Sequence, residues 1–187
     1  MSKVAIKGAD TGTGVFTLES PATNTDRTLT LPDEAGTVLT TATAGVPVNG
    51  PAFSAYVGSN QSVSHATYTK LSVNTEEFDT NSNYDSVTNY RFTPTVAGYY
   101  QVNGQIALNG GWTSAILMVF KNGSRFKDGV SPNGASMFYV NVATLVYLNG
   151  STDYIELYVY QATGSTQTVS GTYAYDSYFQ AAMVRAA

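Results

Sequence analysis

From Ile155 to Tyr160 the chain alternates, with Ile155, Leu157 and Val159 on one parity and Glu156, Tyr158 and Tyr160 on the other. That period of two predicts a strand with an aliphatic face and an aromatic or polar one. Between Met137 and Leu148 the same period puts Val140, Val142, Val146 and Leu148 on one face and Tyr139, Ala143, Leu145 and Tyr147 on the other. The run Ala115 to Phe120 is apolar without a break. Both faces of such strands call for cover, whereas a sandwich of two sheets covers only the inner face of each. A second subunit is the simplest cover. Burying one large apolar or aromatic side chain is worth roughly 2 kcal/mol, so several of them offset the ~4–15 kcal/mol cost of association. A homo-oligomer is therefore expected.

Turn chemistry fits short strands. Asn-Gly occurs at Asn49-Gly50, Asn103-Gly104, Asn109-Gly110, Asn122-Gly123, Asn133-Gly134 and Asn149-Gly150, and this pair suits the positive φ angles of tight hairpins. All six are expected to be turns. Thr, Val and Tyr number 25, 19 and 14, against 10, 5 and 5 for the helix-favouring Leu, Lys and Glu, which points to an all-β protein. Charged residues make up only 12% of the chain and the net charge is −4, so no basic stripe is available to displace counterions from phosphates, and no nucleic-acid partner is expected. The absence of Cys and the single His, His65, exclude disulfide frameworks, zinc sites of Cys and His, and cysteine nucleophiles. No apolar run has the length of a signal peptide or a membrane span, so assembly in a cytoplasm without membrane insertion is expected.

The composition shifts near residue 50. Residues 1–50 hold no Tyr or Trp and one Phe, Phe16, while all fourteen Tyr lie beyond residue 55. Within this segment Thr17-Leu18-Glu19-Ser20-Pro21 recurs eleven residues later as Thr28-Leu29-Thr30-Leu31-Pro32, followed by Thr37-Val38-Leu39-Thr40. Short strands separated by turns are implied, too few to make a core alone, and residues 1–50 are expected to be a stalk or anchor for residues 51–187.

The stretch Asn83 to Val102 resembles the globular head domain of complement's first component, a branch of the tumour-necrosis-factor-like jelly-roll superfamily. The likeness is carried by Tyr84, Phe92, Pro94, Gly98, Tyr100 and Val102. Pro51 to Ala55 is similar to the family's opening strand, Leu117 to Gly123 to its mid-domain hairpin, and Ser177 to Val184, with Phe179, to its closing strand. The resemblance spans about 135 of the 187 residues in order. This sequence departs from the pattern in a Tyr84–Phe92 loop one residue longer, in Val102 where the family has an aromatic, and in Ala181 where glycine is customary. The resemblance implies a ten-stranded antiparallel jelly roll that forms homotrimers. The segment Thr28 to Thr40 resembles linking repeats of bacteriophage tail-fibre and other virion appendage proteins, which implies a virion protein attached to the particle, and to its other proteins, through residues 1–50. On that reading the head meets a host-surface glycan or protein, as a tail fibre or short spike; the rival expectations are a capsid decoration protein or head fibre capping a three-fold position, and a glycan-cleaving spike.

Candidate chemistry is sparse. No nucleophile elbow surrounds Ser62-Val63-Ser64-His65, so no triad is in view and no enzyme is expected. Glu76, Glu77, Asp79 and Asp85 gather hard oxygen donors in one segment, either as a calcium site of the kind some family members carry or as a solvated acidic loop. Trp112, Tyr173 and Tyr175 offer aromatic faces either to sugar C–H bonds or to packing. Lys121, Arg125 and Lys127 form either a rim for an acidic glycan or a solvated edge.

Overall fold

The computed structural model describes residues 50–109, 114–129 and 138–187, together with residues 11, 24–26 and 28. The chain divides into two compact units, Met1–Val38 and Leu39–Ala187, and all the strands named here belong to the second. The stalk expected over residues 1–50 falls almost wholly outside the described residues, as do Trp112 and the Asn-Gly pair at 133–134.

Among the described residues every regular element is a strand, in two antiparallel sheets. The seven-stranded sheet is built from β1 (Ala52–Tyr56), β2 (Gln61–Val63), β4 (Thr75–Asp79), β7 (Ala97–Asn109), β10 (Phe138–Asn149), β12 (Gln167–Val169) and β13 (Tyr178–Ala186). The six-stranded sheet takes β3 (Thr69–Lys70), β5 (Tyr84–Asp85), β6 (Arg91–Phe92), β8 (Ala115–Lys121), β9 (Ser124–Asp128) and β11 (Ile155–Gln161). β7 is the spine of its sheet. Along its whole length it pairs with β10 on one side, and on the other with β13 and then β12. In the other sheet β11 lies between β8 on one side and β6 with β3 on the other. Thirteen strands are described where ten were expected, and five of them are only two or three residues long. This is the tumour-necrosis-factor-like jelly roll.

Side-chain parity follows the sequence pattern. Val140, Val142, Val146 and Leu148 are buried, while Tyr139, Leu145 and Tyr147 on the same strand are exposed. Ile155, Leu157 and Val159 enter the core with them. The residues that carry the family resemblance form one cluster: the Phe53 ring stacks on Tyr84 at 4.4 Å and on Phe92 at 4.7 Å, meets Phe179 edge-on at 5.2 Å, and Phe92 in turn meets Tyr100 at 5.6 Å. Pro94 is buried. Gly98 is required because a Cβ there would lie 2.5 Å from the Arg185 carbonyl of the neighbouring strand. Val102 is fully buried, so a β-branched residue fills the place of the family's aromatic.

Asn122-Gly123 makes the expected hairpin between β8 and β9, with both residues at positive φ, 52° and 75°. Asn103-Gly104 does not turn; it lies within β7. Its glycine answers a packing need, since a Cβ at Gly104 would sit 2.7 Å from Cδ1 of Leu157 in the facing sheet, a close approach that explains glycine in a strand interior.

The carboxylates of the acidic segment have local hydrogen-bond partners. Glu77 accepts a hydrogen bond from Ser54 Oγ at 2.7 Å, Glu76 accepts one from Ser86 Oγ at 2.5 Å, and Asp79 accepts from the Tyr84 N–H at 2.7 Å. Asp85 caps the following turn, accepting from the N–H groups of Thr88 (2.8 Å), Val87 and Asn89 and from the Asn89 amide. Each carboxylate is committed to a different local partner, and no group of three or more His, Asp or Glu among the described residues is arranged to hold a metal ion. The calcium site weighed for Glu76, Glu77, Asp79 and Asp85 is not assembled.

This packing has measurable consequences at Tyr84 and Asp85. The Tyr84 hydroxyl donates to the Val73 carbonyl at 2.8 Å inside the core, and burial raises its pKa, with Glu76 and Asp85 adding to the effect. Tyr84→Phe keeps the stack on Phe53 and orphans the carbonyl, so chemical denaturation should register a loss of about 1–3 kcal/mol. The hydrogen bond from the Thr88 N–H leads the effects that hold the Asp85 carboxyl down at about 2. A depressed folded pKa gives stability that is complete above the ordinary carboxylate value of about 4 and is lost as pH falls toward 2. Thermal melts of Asp85→Asn should therefore show a shallower acid decline than wild type across that window, the difference staying under about 1 kcal/mol because the turn is solvent-screened.

Candidate functional site

A sandwich has two outer faces, and here neither is an ordinary polar surface. On the seven-stranded sheet, period two sends Tyr99, Gln101, Asn103 and Gln105 of β7 outward beside Tyr139, Asn141, Leu145 and Tyr147 of β10 and Gln180, Ala182 and Val184 of β13. At the end near Ala97 the face is apolar. Tyr99 is 47% exposed, Leu145 56%, Tyr147 42% and Val184 49%, with the Tyr99 and Tyr147 rings 5.5 Å apart. Tyr99, Leu145 and Val184 line a shallow depression of about 560 Å³ together with residues 185–187. The middle of the face is a belt of amides, where Gln101 Nε2 donates to Asn103 Oδ1 at 3.2 Å.

Tyr173 and Tyr175 lie in the turn before β13, parallel at 5.1 Å and 5° and both more than half exposed. The turn is anchored from below. Ser170 Oγ donates to the buried Asp176 carboxylate at 2.8 Å, Ser177 Oγ accepts from the Ala107 N–H at 3.1 Å, and Gln105 Nε2 donates to the Tyr175 carbonyl at 3.3 Å. The two tyrosines share a loop and stack directly on one another.

The outer face of the six-stranded sheet brings together residues that sequence reasoning left apart. Phe120 of β8 and Tyr158 of β11 stack at 4.0 Å and 21°. Tyr68, in the loop before β3, lies 5.0 Å from Tyr160 and 6.2 Å from Phe120. Only the alternation of Tyr158 and Tyr160 was visible in advance; Tyr68 and Phe120 are far away in the chain and meet through the pairing of β3 and β8 with β11. Met118 shares this outer side by register and is nevertheless fully buried.

Several of the charges on and beside this face are ion-paired. Lys70 Nζ donates to Glu156 Oε1 at 3.0 Å, with Glu156 almost wholly buried. Arg125 grips both carboxylate oxygens of Asp128, Nε at 2.7 Å and Nη2 at the other, and its Nη1 donates to the Tyr68 hydroxyl at 3.1 Å. That grip holds the Asp128 carboxyl below its ordinary pKa. Lys121 pairs with Asp153 at 2.8 Å. Two of the three cations considered as a rim for an acidic glycan are thus neutralised in place, while Lys127, the third, lies against the Phe126 ring.

His65 is exposed, and its Nδ1 accepts a hydrogen bond from the Gly164 N–H at 3.0 Å. It serves as a loop contact in this arrangement.

No family model matches the chain, and no curated protein matches it in sequence. Solved structures do match in fold. Eiger, a TNF of S. frugiperda, aligns with a TM-score of 0.57 at 10% identity over 78% of this chain and 96% of that one. Murine APRIL aligns with a TM-score of 0.57 at 10% identity over 73% of this chain and all of that one. The PRD1 vertex protein P5 aligns with a TM-score of 0.54 at 16% identity over 73% of this chain and 98% of that one. At these identities the likeness is one of fold, and it is to tumour-necrosis-factor-like jelly rolls and a viral vertex protein alike.

Proposed function

We propose that the chain is a non-enzymatic structural protein of a virion, a homotrimer whose jelly-roll head is presented to the host surface and whose residues 1–50 join it to the particle. The observation that carries this reading is the apolar end of the seven-stranded outer face, where Tyr99, Leu145, Tyr147 and Val184 stand together, each at least two-fifths exposed. Each of the four is already about half covered within the protomer, so burial by sister copies adds roughly 1 kcal/mol apiece, which approaches the low end of the ~4–15 kcal/mol association cost and leaves the remainder to the rest of the face. The amide belt beside them adds direction rather than strength, because buried amides left unpaired in a wrong register are penalised. Three equivalent heads would turn weak single-site contact with a host surface into firm adsorption through avidity.

One structural neighbour is a vertex protein, which supports placement on a virion. It also favours a second reading, in which the trimer decorates or caps a capsid position and takes no part in adhesion. Deleting residues 51–187 separates the two: adsorption is lost on the first reading, while on the second adsorption persists and the particle is weakened.

Sedimentation or light scattering at micromolar concentration should return a trimer for the full chain. Leu145→Asp with Tyr147→Asp should shift it to monomer while the far-ultraviolet spectrum of an all-β fold is kept, since both side chains are solvent-facing within the protomer. A wild-type monomer at that concentration sinks the trimeric reading.

A further inference from the structure

The outer face of the six-stranded sheet lies on the far side of the sandwich from the apolar face proposed to meet sister copies. Its charges can be placed by register. Lys70 pairs with Tyr158, Arg91 with Glu156 and Arg125 with Phe120, and among the acids Asp128 pairs with Met118 and Asp85 with Arg91. The register thus places three cations and three carboxylates, Asp85, Asp128 and Glu156, on this side, and the set carries no net charge. An anionic chain gains nothing here that the carboxylates do not cancel, and a cationic one fares no better. What the face does offer is a platform of rings, with fixed hydrogen-bonding groups at its edge.

We infer that this face, centred on Tyr68 and Phe120 and edged by the Arg125–Asp128 pair, binds an uncharged polysaccharide. A pyranose ring has an apolar C–H surface bounded by hydroxyls, and the arrangement complements both parts at once. The C–H surface lies on the rings, releasing water from apolar area. The hydroxyls meet donors and acceptors with charge, whose hydrogen bonds are stronger than neutral ones. Tyr68 is half exposed yet not free, because Arg125 Nη1 holds its hydroxyl and the guanidinium lies 5.9 Å from the ring, while Asp128 holds Arg125 in turn. A platform oriented before the ligand arrives loses less side-chain entropy on binding. The fully buried Met118 on the same side indicates that the aromatic layer excludes water from the sheet beneath it.

This inference rests on the adhesion reading for its biological setting, but it can be tested separately. Full-length protein would be run by affinity electrophoresis through gels containing dextran, mannan or galactan, with polygalacturonate as the acidic comparison. Retardation by at least one neutral polymer is expected, unchanged between low and high salt, and weakened at least tenfold in both Tyr68→Ala and Arg125→Ala. Both substitutions truncate exposed side chains, so the melts of the two variants should match wild type by circular dichroism. Retardation by polygalacturonate alone, no retardation by any neutral polymer, or equal retardation of wild type and variants overturns it. Loss of adsorption on deleting residues 51–187 with no glycan bound would sink this inference and spare the adhesion reading; Tyr68-dependent glycan binding with adsorption intact would do the reverse.

Discussion

Two sheets stay in register only if something on their inner faces reaches across the gap and fits in one way, and here that is the Phe53 ring. It comes from β1 of the seven-stranded sheet, yet its nearest aromatic contacts, Tyr84 and Phe92, belong to the six-stranded one. Opposite Phe53 in the ladder stands Ala181, a residue small enough to leave the ring its room. Once Phe53, Tyr100 and Phe179 point inward, the period of two obliges Tyr99, Gln101, Gln180 and their neighbours to point outward. The unusual outer faces are thus consequences of the core. A slip of one residue in β7 or β13 would exchange the aromatic knot for the amide belt, which the interior could not satisfy.

That dependence explains which features were legible in the sequence. β10 was readable from its alternation, because Val140, Val142, Val146 and Leu148 are buried and Tyr139, Leu145 and Tyr147 are exposed, with Thr144 on the inner parity only partly covered. The resemblance was readable too, and the rings that carry it, Tyr84, Phe92, Tyr100 and Phe179, meet in one cluster with Phe53. Asn103-Gly104 misled because its local signal is identical to that of Asn122-Gly123. What distinguishes them is Leu157, more than fifty positions away, and no local rule sees a side chain in the facing sheet. The acidic segment left two forms open in the sequence, because nearness along strands and turns does not by itself converge carboxylates; Glu76, Glu77, Asp79 and Asp85 each accept from a hydroxyl or a backbone N–H.

The two outer faces satisfy their polar groups in opposite ways. On the seven-stranded sheet, Gln101 and Asn103 bond to one another and retain further donors and acceptors. Amides in that condition are tolerable in water and specific at an interface, since only one alignment of a partner pairs them. On the six-stranded sheet, the Lys70–Glu156 and Arg125–Asp128 pairs are already closed within the protomer, and the surrounding surface is aromatic. Amides with spare donors and acceptors pair readily with the polar groups of another protein chain, whereas closed ion pairs beside rings leave few groups unpaired for one. The two faces therefore call for different occupants.

The Lys70–Glu156 pair sharpens this difference. Glu156 is 5% exposed, and taking a carboxylate out of water costs several kcal/mol that one lysine at 3.0 Å only partly returns. An apolar residue at position 156 would pack beside Phe120, its ladder partner, without that penalty. The pair is thus a poor device for stability and a good one for holding Lys70 against Tyr158, its own ladder partner, in a single orientation. Arg125, gripped by Asp128 and leaning on Tyr68, has the same design on the other side of the rings. Two long, mobile cations are each fixed by a carboxylate at the border of an aromatic patch, and the entropy of fixing them is lost during folding rather than at the moment of contact.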